Sequence, residues 1–210
     1  VREALYNRDV AADQLEQQKR AITRQTRNAY RSLVAGQAEV EARRLAVVSA
    51  DLRLAAHRIA DAIYEKLAGD KAVFSTRIAY VTATGLGRNI QYALMVADSD
   101  GYNPQTVVRS REPLLSPSWS PDGRRLGYVS FERGNSSIYI QEIATGAREV
   151  VASFRGINGA PAFSPDGRRI ALTLSKSGNP EIYVMDLASK ALSQVTRHRG
   201  IDTEPTWMPD

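Results

Sequence analysis

The 210-residue sequence predicts an α + β chain in segregated halves: a long N-terminal helix or helical hairpin, then an incomplete all-β propeller of about three four-stranded blades. Three observations predict it. Residues 2–67 hold no proline and are rich in Ala, Leu, Glu, Gln and Arg, which favour helix. After Gly69-Asp70 the texture turns to short runs of β-branched and aromatic residues punctuated by Gly, Pro, Asn and Asp. Within that second half Trp119, Phe163 and Trp207 stand 44 residues apart, and Ile138-Tyr-Ile140 and Ile182-Tyr-Val184 keep the same offset, as do Glu142 and Asp186. A repeat of about 40 to 45 residues is the length of one four-stranded propeller blade.

In the helical half, 1–67, Leu45, Val48, Leu52, Ala56, Ile59, Ile63 and Leu67 recur at three- and four-residue steps and make one face of a helix. Leu5, Ala12, Leu15, Ile22, Ala29, Leu33 and Val40 make a thinner stripe of the same kind. One helix, or two joined near Gly36 or near Ser49-Ala-Asp51, accounts for the pattern, with Gly69 as its stop. So long a helix does not bury its stripe on itself, so a partner helix or sheet is expected. No acidic residue stands between Glu16 and Glu39, and Arg20, Arg24, Arg27 and Arg31 fall on one helix face. Such a stripe either meets phosphate or anionic lipid, or is a solvated face. With no aromatic-rich nucleic-acid module beside it, the solvated face is favoured and no nucleic-acid partner is expected.

Residues 68–77 read as a linker and 78–210 as the partial propeller. A less regular first blade has strands at Ile78–Thr82, Tyr92–Ala97 and Thr106–Arg109, with Gly85-Leu-Gly87 in the hairpin loop after the first of them. The best-defined blade has strands at 161–164, 168–175, 180–187 and 191–197, and the blade before it lies 44 residues earlier. The phrase PSWSPDG at 117–123 returns as PAFSPDG at 161–167 and as PTWMPD at 205–210. Its proline presets one corner of a turn, its aspartate bonds nearby backbone, and its glycine takes the left-handed conformation. The aromatic, Trp119 or Phe163, is expected at the end of an inner strand, facing the next blade. Asp122, Asp166 and Asp210 are the repeated carboxylates. Their repetition favours scaffolding over a metal or acid site.

Much chemistry is excluded. There is no cysteine, hence no disulfide, thiolate metal site or cysteine nucleophile. The net charge of +5 is moderately basic. No apolar run is long enough for a membrane helix, and the first residues, VREALYNRDV, lack a signal-peptide core; the opening Val suggests a fragment. The two histidines, His57 and His198, have no Gly-x-Ser-x-Gly elbow to serve, and Gly85-Leu-Gly87 lacks the third glycine of a nucleotide loop. No catalytic residue, metal ligand or cofactor is expected, and the chain does not read as an enzyme. Closed propellers have about four to eight blades. Three blades leave an exposed inner strand at 205–208 and a bare first blade, which invites self-association through open edges or implies further blades. The loops entering successive inner strands cluster at one mouth of a propeller. Arg111 and Glu112, then Asn158, Gly159 and Ala160, then Asp202, Thr203 and Glu204 are therefore the candidate protein-binding residues.

Over about 54–210 the chain resembles the TolB family, the periplasmic propeller proteins of the Tol-Pal system, whose blades carry WD40-like, or PD40, repeats. The resemblance rests on Leu54-Ala-Ala-His-Arg-Ile-Ala-Asp-Ala-Ile-Tyr-Glu-Lys-Leu67, Phe74-Ser-Thr-Arg-Ile-Ala-Tyr-Val81, Ala97-Asp-Ser-Asp-Gly-Tyr-Asn-Pro-Gln105, Asn158-Gly-Ala-Pro-Ala-Phe163 and Thr203-Glu-Pro-Thr-Trp207. It makes 54–67 the last helix of that family's N-terminal domain. It implies a non-enzymatic periplasmic adaptor, with roles in outer-membrane integrity, cell division and protein or colicin import, whose mouth docks the lipoprotein Pal and which meets other Tol proteins. Residues 1–50, with Thr26-Arg-Asn-Ala-Tyr-Arg-Ser-Leu-Val-Ala-Gly36 and Glu39-Val-Glu-Ala-Arg-Arg44, instead resemble a helical segment of TolC-type outer-membrane efflux proteins. Two other readings stand beside the first: an efflux-protein fragment acting through its helical half, and the propeller gate of a prolyl-oligopeptidase- or tricorn-like hydrolase.

Overall fold

Helix α1 runs unbroken from Arg2 to Ala68, straight through Gly36 and Ser49, so of the two arrangements read from the sequence the single helix is the one that forms. Helix-forming neighbours on both sides outweigh the cost of one interior glycine, about 1 kcal/mol. The helix stops where expected: the Gly69 N–H donates to the Glu65 carbonyl at 3.0 Å, with Gly69 in the left-handed region at φ 80°. Ion pairs of Glu16 with Lys19 at 2.9 Å and of Glu39 with Arg43 at 2.6 Å add a few tenths of a kcal/mol each. Leu45, Val48, Leu52, Ile59 and Ile63 are exposed along this helix, as are Arg20, Arg24, Arg27 and Arg31. No helix among the described residues is long and apolar enough to cross a membrane.

The structure, a computed structural model, describes residues 2–208, and its second compact unit begins at Ala72. This unit holds three antiparallel sheets. The first contains β1 (Arg77–Thr84), β2 (Gln91–Asp98) and β3 (Gln105–Ser110). The second contains β4 (Leu114–Trp119), β5 (Arg125–Ser130), β6 (Ser137–Glu142) and β7 (Arg148–Ala152). The third contains β8 (Asn158–Phe163), β9 (Arg169–Leu174), β10 (Glu181–Asp186) and β11 (Leu192–Gln194). Each sheet is an up-and-down meander, so each is one blade, and the set is not closed. Several boundaries differ from the sequence reading, and inner strand β4 starts at Leu114 and not at 117. Inner strand β8 starts three residues early, at Asn158 and not at 161, because its ladder to β9 continues past an irregularity between Gly159 and Ala162. Outer strand β11 keeps only three residues, 192–194.

Period-two alternation gives each blade two apolar faces. Leu126, Tyr128 and Tyr139 of the second sheet pack with Leu94 and Val96 of the first. Val129, Ile138 and Ile140, on the opposite face, pack with Phe163, Ile170, Leu172 and Leu174 of the third. Each such side chain contributes about 1.5–3 kcal/mol when fully buried. The Tyr128 and Tyr139 rings stack with centroids 5.7 Å apart, and the Tyr128 hydroxyl donates to Gln141 Oε1 at 3.0 Å.

The repeated Ser-Pro-Asp-Gly phrase forms the hairpin corner between the inner strand and the next. Gly123 and Gly167 sit at φ 65° and 68°, where a side chain is strained. Asp122 Oδ1 accepts from Ser120 Oγ at 2.5 Å and from the Arg124 N–H at 3.0 Å. Asp166 repeats this with Ser164 and Arg168 at 2.5 and 3.0 Å. Both carboxylates serve their own turns; Asp210 lies outside the described residues.

A candidate binding mouth where three inner strands begin

The same backbone irregularity recurs in β4, in β8 and in the segment after β11. Ser116, Ala160 and Glu204, spaced 44 residues apart, have positive φ of 49°, 45° and 57°. In β4 and β8 the ladder shifts register at this point, a β-bulge that turns the preceding loop away from the sheet. The loops that precede these three positions meet in one region.

Asn158 holds the middle loop. It is fully buried, its Nδ2 donates to the carbonyls of Phe154 at 2.7 Å and Ser136 at 3.0 Å, and its Oδ1 accepts the Phe154 N–H at 2.8 Å. Its backbone N–H donates to Ser136 Oγ at 2.9 Å. With every polar atom so engaged, Asn158 shapes the mouth from beneath while its neighbours face outward. Glu181 does the same for the third loop. Its carboxylate accepts from Thr196 Oγ1 at 2.6 Å and from the His198 N–H at 2.9 Å. The Thr196 bond is the main reason its carboxyl is held below the usual glutamate range. Asn179 Nδ2 donates to the His198 carbonyl at 2.8 Å and to that of Gly200, and the Asp202 N–H donates to the Pro180 carbonyl at 3.0 Å. These bonds fix 196–202 and thereby aim Thr203 and Glu204.

A cleft of about 330 Å³ opens where the loops meet. Of the residues expected at the mouth it brings together Asn158, Gly159, Ala160, Thr203 and Glu204; Arg111, Glu112 and Asp202 are not in its wall. Arg111 and Glu112 are exposed in the loop before β4, where the Glu112 N–H donates to Ser110 Oγ at 2.9 Å. Sequence reasoning missed the floor and the rim. Val129 and Phe131 line the cleft, and Leu115 and Ile157, 49% and 52% exposed, stand beside them. The Thr173 hydroxyl, also in its wall, is shielded from solvent and has no hydrogen-bond partner among the described residues. An apolar Ile157 at a loop tip beside the repeat motif was the one legible signal; Thr173 carried none, since in sequence it is an ordinary strand threonine.

His198 Nδ1 accepts the Gly200 N–H at 2.9 Å, and His57 lies on α1. Among the described residues no group of three or more His, Asp or Glu side chains is placed to hold a metal ion.

A family model described as the TolB beta propeller domain matches residues 64–210. The chain belongs to the TolB propeller family. A Tol-Pal system protein TolB of Xanthomonas oryzae pv. oryzae is 75% identical over 109 residues, which are 52% of this chain and 25% of the relative. The crystal structure of TolB from Acinetobacter baumannii is similar with TM-score 0.68 at 48% identity, covering 74% of this chain and 39% of that one. The structure of a putative TolB from Agrobacterium tumefaciens, 24% identical with TM-score 0.53 over 59% of this chain and 43% of that one, shows the same fold. The chain thus spans about a quarter of the length of the curated TolB relatives it matches.

Proposed function

We propose that the β unit is a non-enzymatic, periplasmic protein-interaction module of the Tol-Pal system, and that its mouth takes an extended segment of a partner such as the lipoprotein Pal. The observation that supports this is the cleft at the loop junction, with its apolar floor. An apolar side chain of a partner fills such a floor. Arg111, Glu112, Asp202, Thr203 and Glu204 form the polar surround on this reading, with Asn158, Gly159 and Ala160 shaping the wall. Roles in outer-membrane integrity, division and import follow from the partner, not from chemistry within the chain. The efflux-fragment and hydrolase-gate readings are less favoured, because the family match lies in 64–210 and the family is named for TolB.

Titration calorimetry of purified Pal against the 210-residue chain tests the proposal. Ile157→Asp and Thr203→Arg should each weaken binding at least tenfold, while Lys176→Ala, away from the cleft wall, should not. No binding under conditions where a full-length TolB relative binds Pal would overturn it.

A further inference from the structure

The gaps between neighbouring sheets are not filled alike. Lys190, in the turn after β10, reaches from the third sheet to Glu149 on β7 of the second, Nζ to Oε1 3.2 Å. One repeat of 44 residues earlier, the residue at the place of Lys190 is Gly146. The two turns have the same form. The Gly146 N–H donates to the Glu142 carbonyl at 3.0 Å and the Lys190 N–H to the Asp186 carbonyl at 2.9 Å, and both residues have positive φ, 72° and 58°. A Cβ added at Gly146 would meet no atom within 4 Å. The acceptor differs as well: Gln105 pairs with Val96 in the first sheet as Glu149 pairs with Ile140 in the second.

Where the lysine is missing, a cavity of about 420 Å³ lies between the first and second sheets. Its volume falls within the roughly 300–1,000 Å³ of small-molecule sites. Val96, Val107 and Ile143 line it with apolar surface that continues the packing between the two sheets, and Asp98, Gln105 and Gly146 also line it. The cross-strand partner of Asp98 is Arg77, which turns instead to the Trp119 ring at 4.9 Å and to the Gly123 carbonyl. The Asp98 carboxylate thus has no ion-pair partner among the described residues. Gln105 spends its Nε2 on Asn103 Oδ1 at 2.8 Å, which leaves its amide oxygen as an acceptor.

We propose that this cavity binds an aliphatic primary ammonium, its chain along Val96, Val107 and Ile143 and its charge on the Asp98 carboxylate and the Gln105 amide oxygen. Such a ligand supplies to the first gap what Lys190 supplies to the second, an aliphatic stem with a cation at its end. The Arg77 guanidinium, in the same wall, repels a second positive charge, so a monoamine is preferred to a diamine. Two sources share this chemistry: a free alkylamine and a lysine side chain presented by another protein. Strand β6 runs from the mouth, beside Ser136, to this cavity, at Gln141, so the inference does not depend on what the mouth binds.

Amide NMR of the 210-residue chain, titrated with pentylammonium, tests the proposal. Amides of residues 96–107 and 141–147 should shift saturably, with a dissociation constant of about 10 mM or tighter. 1-Pentanol and the diammonium cadaverine should each bind at least fivefold more weakly. Acetyl-Gly-Lys-Gly-amide separates the sources: saturation at least as tight as that of pentylammonium makes the ligand a partner's lysine, and its exclusion while pentylammonium still binds makes it a free amine. Gly146→Lys should abolish binding by placing the chain's own ammonium in the cavity, and Lys190 shows that this turn accepts lysine. Gly146→Ala imposes the same backbone strain without filling the space, so it should bind nearly as the unaltered chain does. Asp98→Asn should weaken binding at least fivefold, which decides the matter even where Gly146→Lys does not fold. No saturation by either amine, equal binding of 1-pentanol, or binding untouched by Asp98→Asn would each overturn the proposal.

Discussion

The Arg125 guanidinium lies 5.6 Å from the centroid of the Phe163 ring, joining the second sheet to the third. The relationship is part of the repeat. Arg77 stands over Trp119 at 4.9 Å and Arg169 over Trp207 at 5.1 Å, one pairing for each step from sheet to inner strand. Arg77 Nη2 also donates to the Gly123 carbonyl at 2.8 Å, and Arg125 Nη2 to that of Gly167 at 3.4 Å. Arg77 and Arg125 therefore each hold both the aromatic and the turn of the following motif.

Replacing Arg125 by Ala should destabilise the β unit by about 1–2 kcal/mol, from the lost cation–π contact and the packing of its aliphatic stem. Lys keeps the charge but not the planar fork, so Arg125→Lys should fall between the two. Urea denaturation followed by tryptophan fluorescence measures both. A loss for Ala no greater than for an exposed arginine such as Arg155 would show that the stacking contributes nothing.

The turn carboxylates predict an acid limb in stability. Asp122 and Asp166 are each held below the ordinary aspartate value of 3.8, first by the bond from Ser120 or Ser164 and next by the backbone N–H of Arg124 or Arg168. A carboxyl whose folded pKa is depressed gives its contribution in full above the unfolded value and loses it as pH falls through the folded one. The melting temperature should thus hold near neutrality and drop as pH falls below about 4. Asp122→Asn and Asp166→Asn together should flatten that drop, which melting curves across this range would show. An unchanged acid slope in the double variant would count against the turn bonds.

Asn158 makes a sharper stability prediction. Asn158→Ala removes partners from the Phe154 N–H and from the Phe154 and Ser136 carbonyls, all at or near a fully buried position. Leaving buried backbone groups unpaired should cost on the order of 3 kcal/mol. Hydrogen exchange should localise the opening to residues 153–160 and leave β5 and β6 protected. Uniform loss of protection across the unit would mean that Asn158 supports the whole core and not the loop.

What the sequence made legible was whatever is local or periodic. The 44-residue spacing located the blades, and Ser-Pro-Asp-Gly identified its own turn, because proline, aspartate and glycine act within four residues. The start of β8 was missed because a bulge lets a strand continue across residues that break alternation: Asn158, Gly159 and Ala160 read as loop, yet Asn158 pairs with Leu174. The mouth was half legible. Loop positions follow from blade order, whereas Thr173 and Val129 reach the cleft only through packing between sheets. The arginine pairing also escaped, since Arg125 and Phe163 lie 38 residues apart and neither is unusual alone.

Gly36 is the weakest point of α1, and its replacement is informative because nothing opposes it. An added Cβ would meet no atom within 4 Å, so Gly36→Ala brings no clash. Glycine inside a helix costs about 1 kcal/mol relative to alanine, through the greater freedom of the unfolded chain and weaker shielding of the helix backbone. The variant should show slower amide exchange around residues 32–40 and greater helicity at a given temperature by circular dichroism, with the melting of the β unit unchanged. Gly36→Pro should do the opposite, since proline removes a helical N–H and clashes with the preceding turn at about 3 kcal/mol. The pair separates two accounts of this half. If α1 acts as one continuous rod, proline changes exchange on both sides of residue 36; if its halves are stable independently, exchange changes only within the turn that holds the substitution.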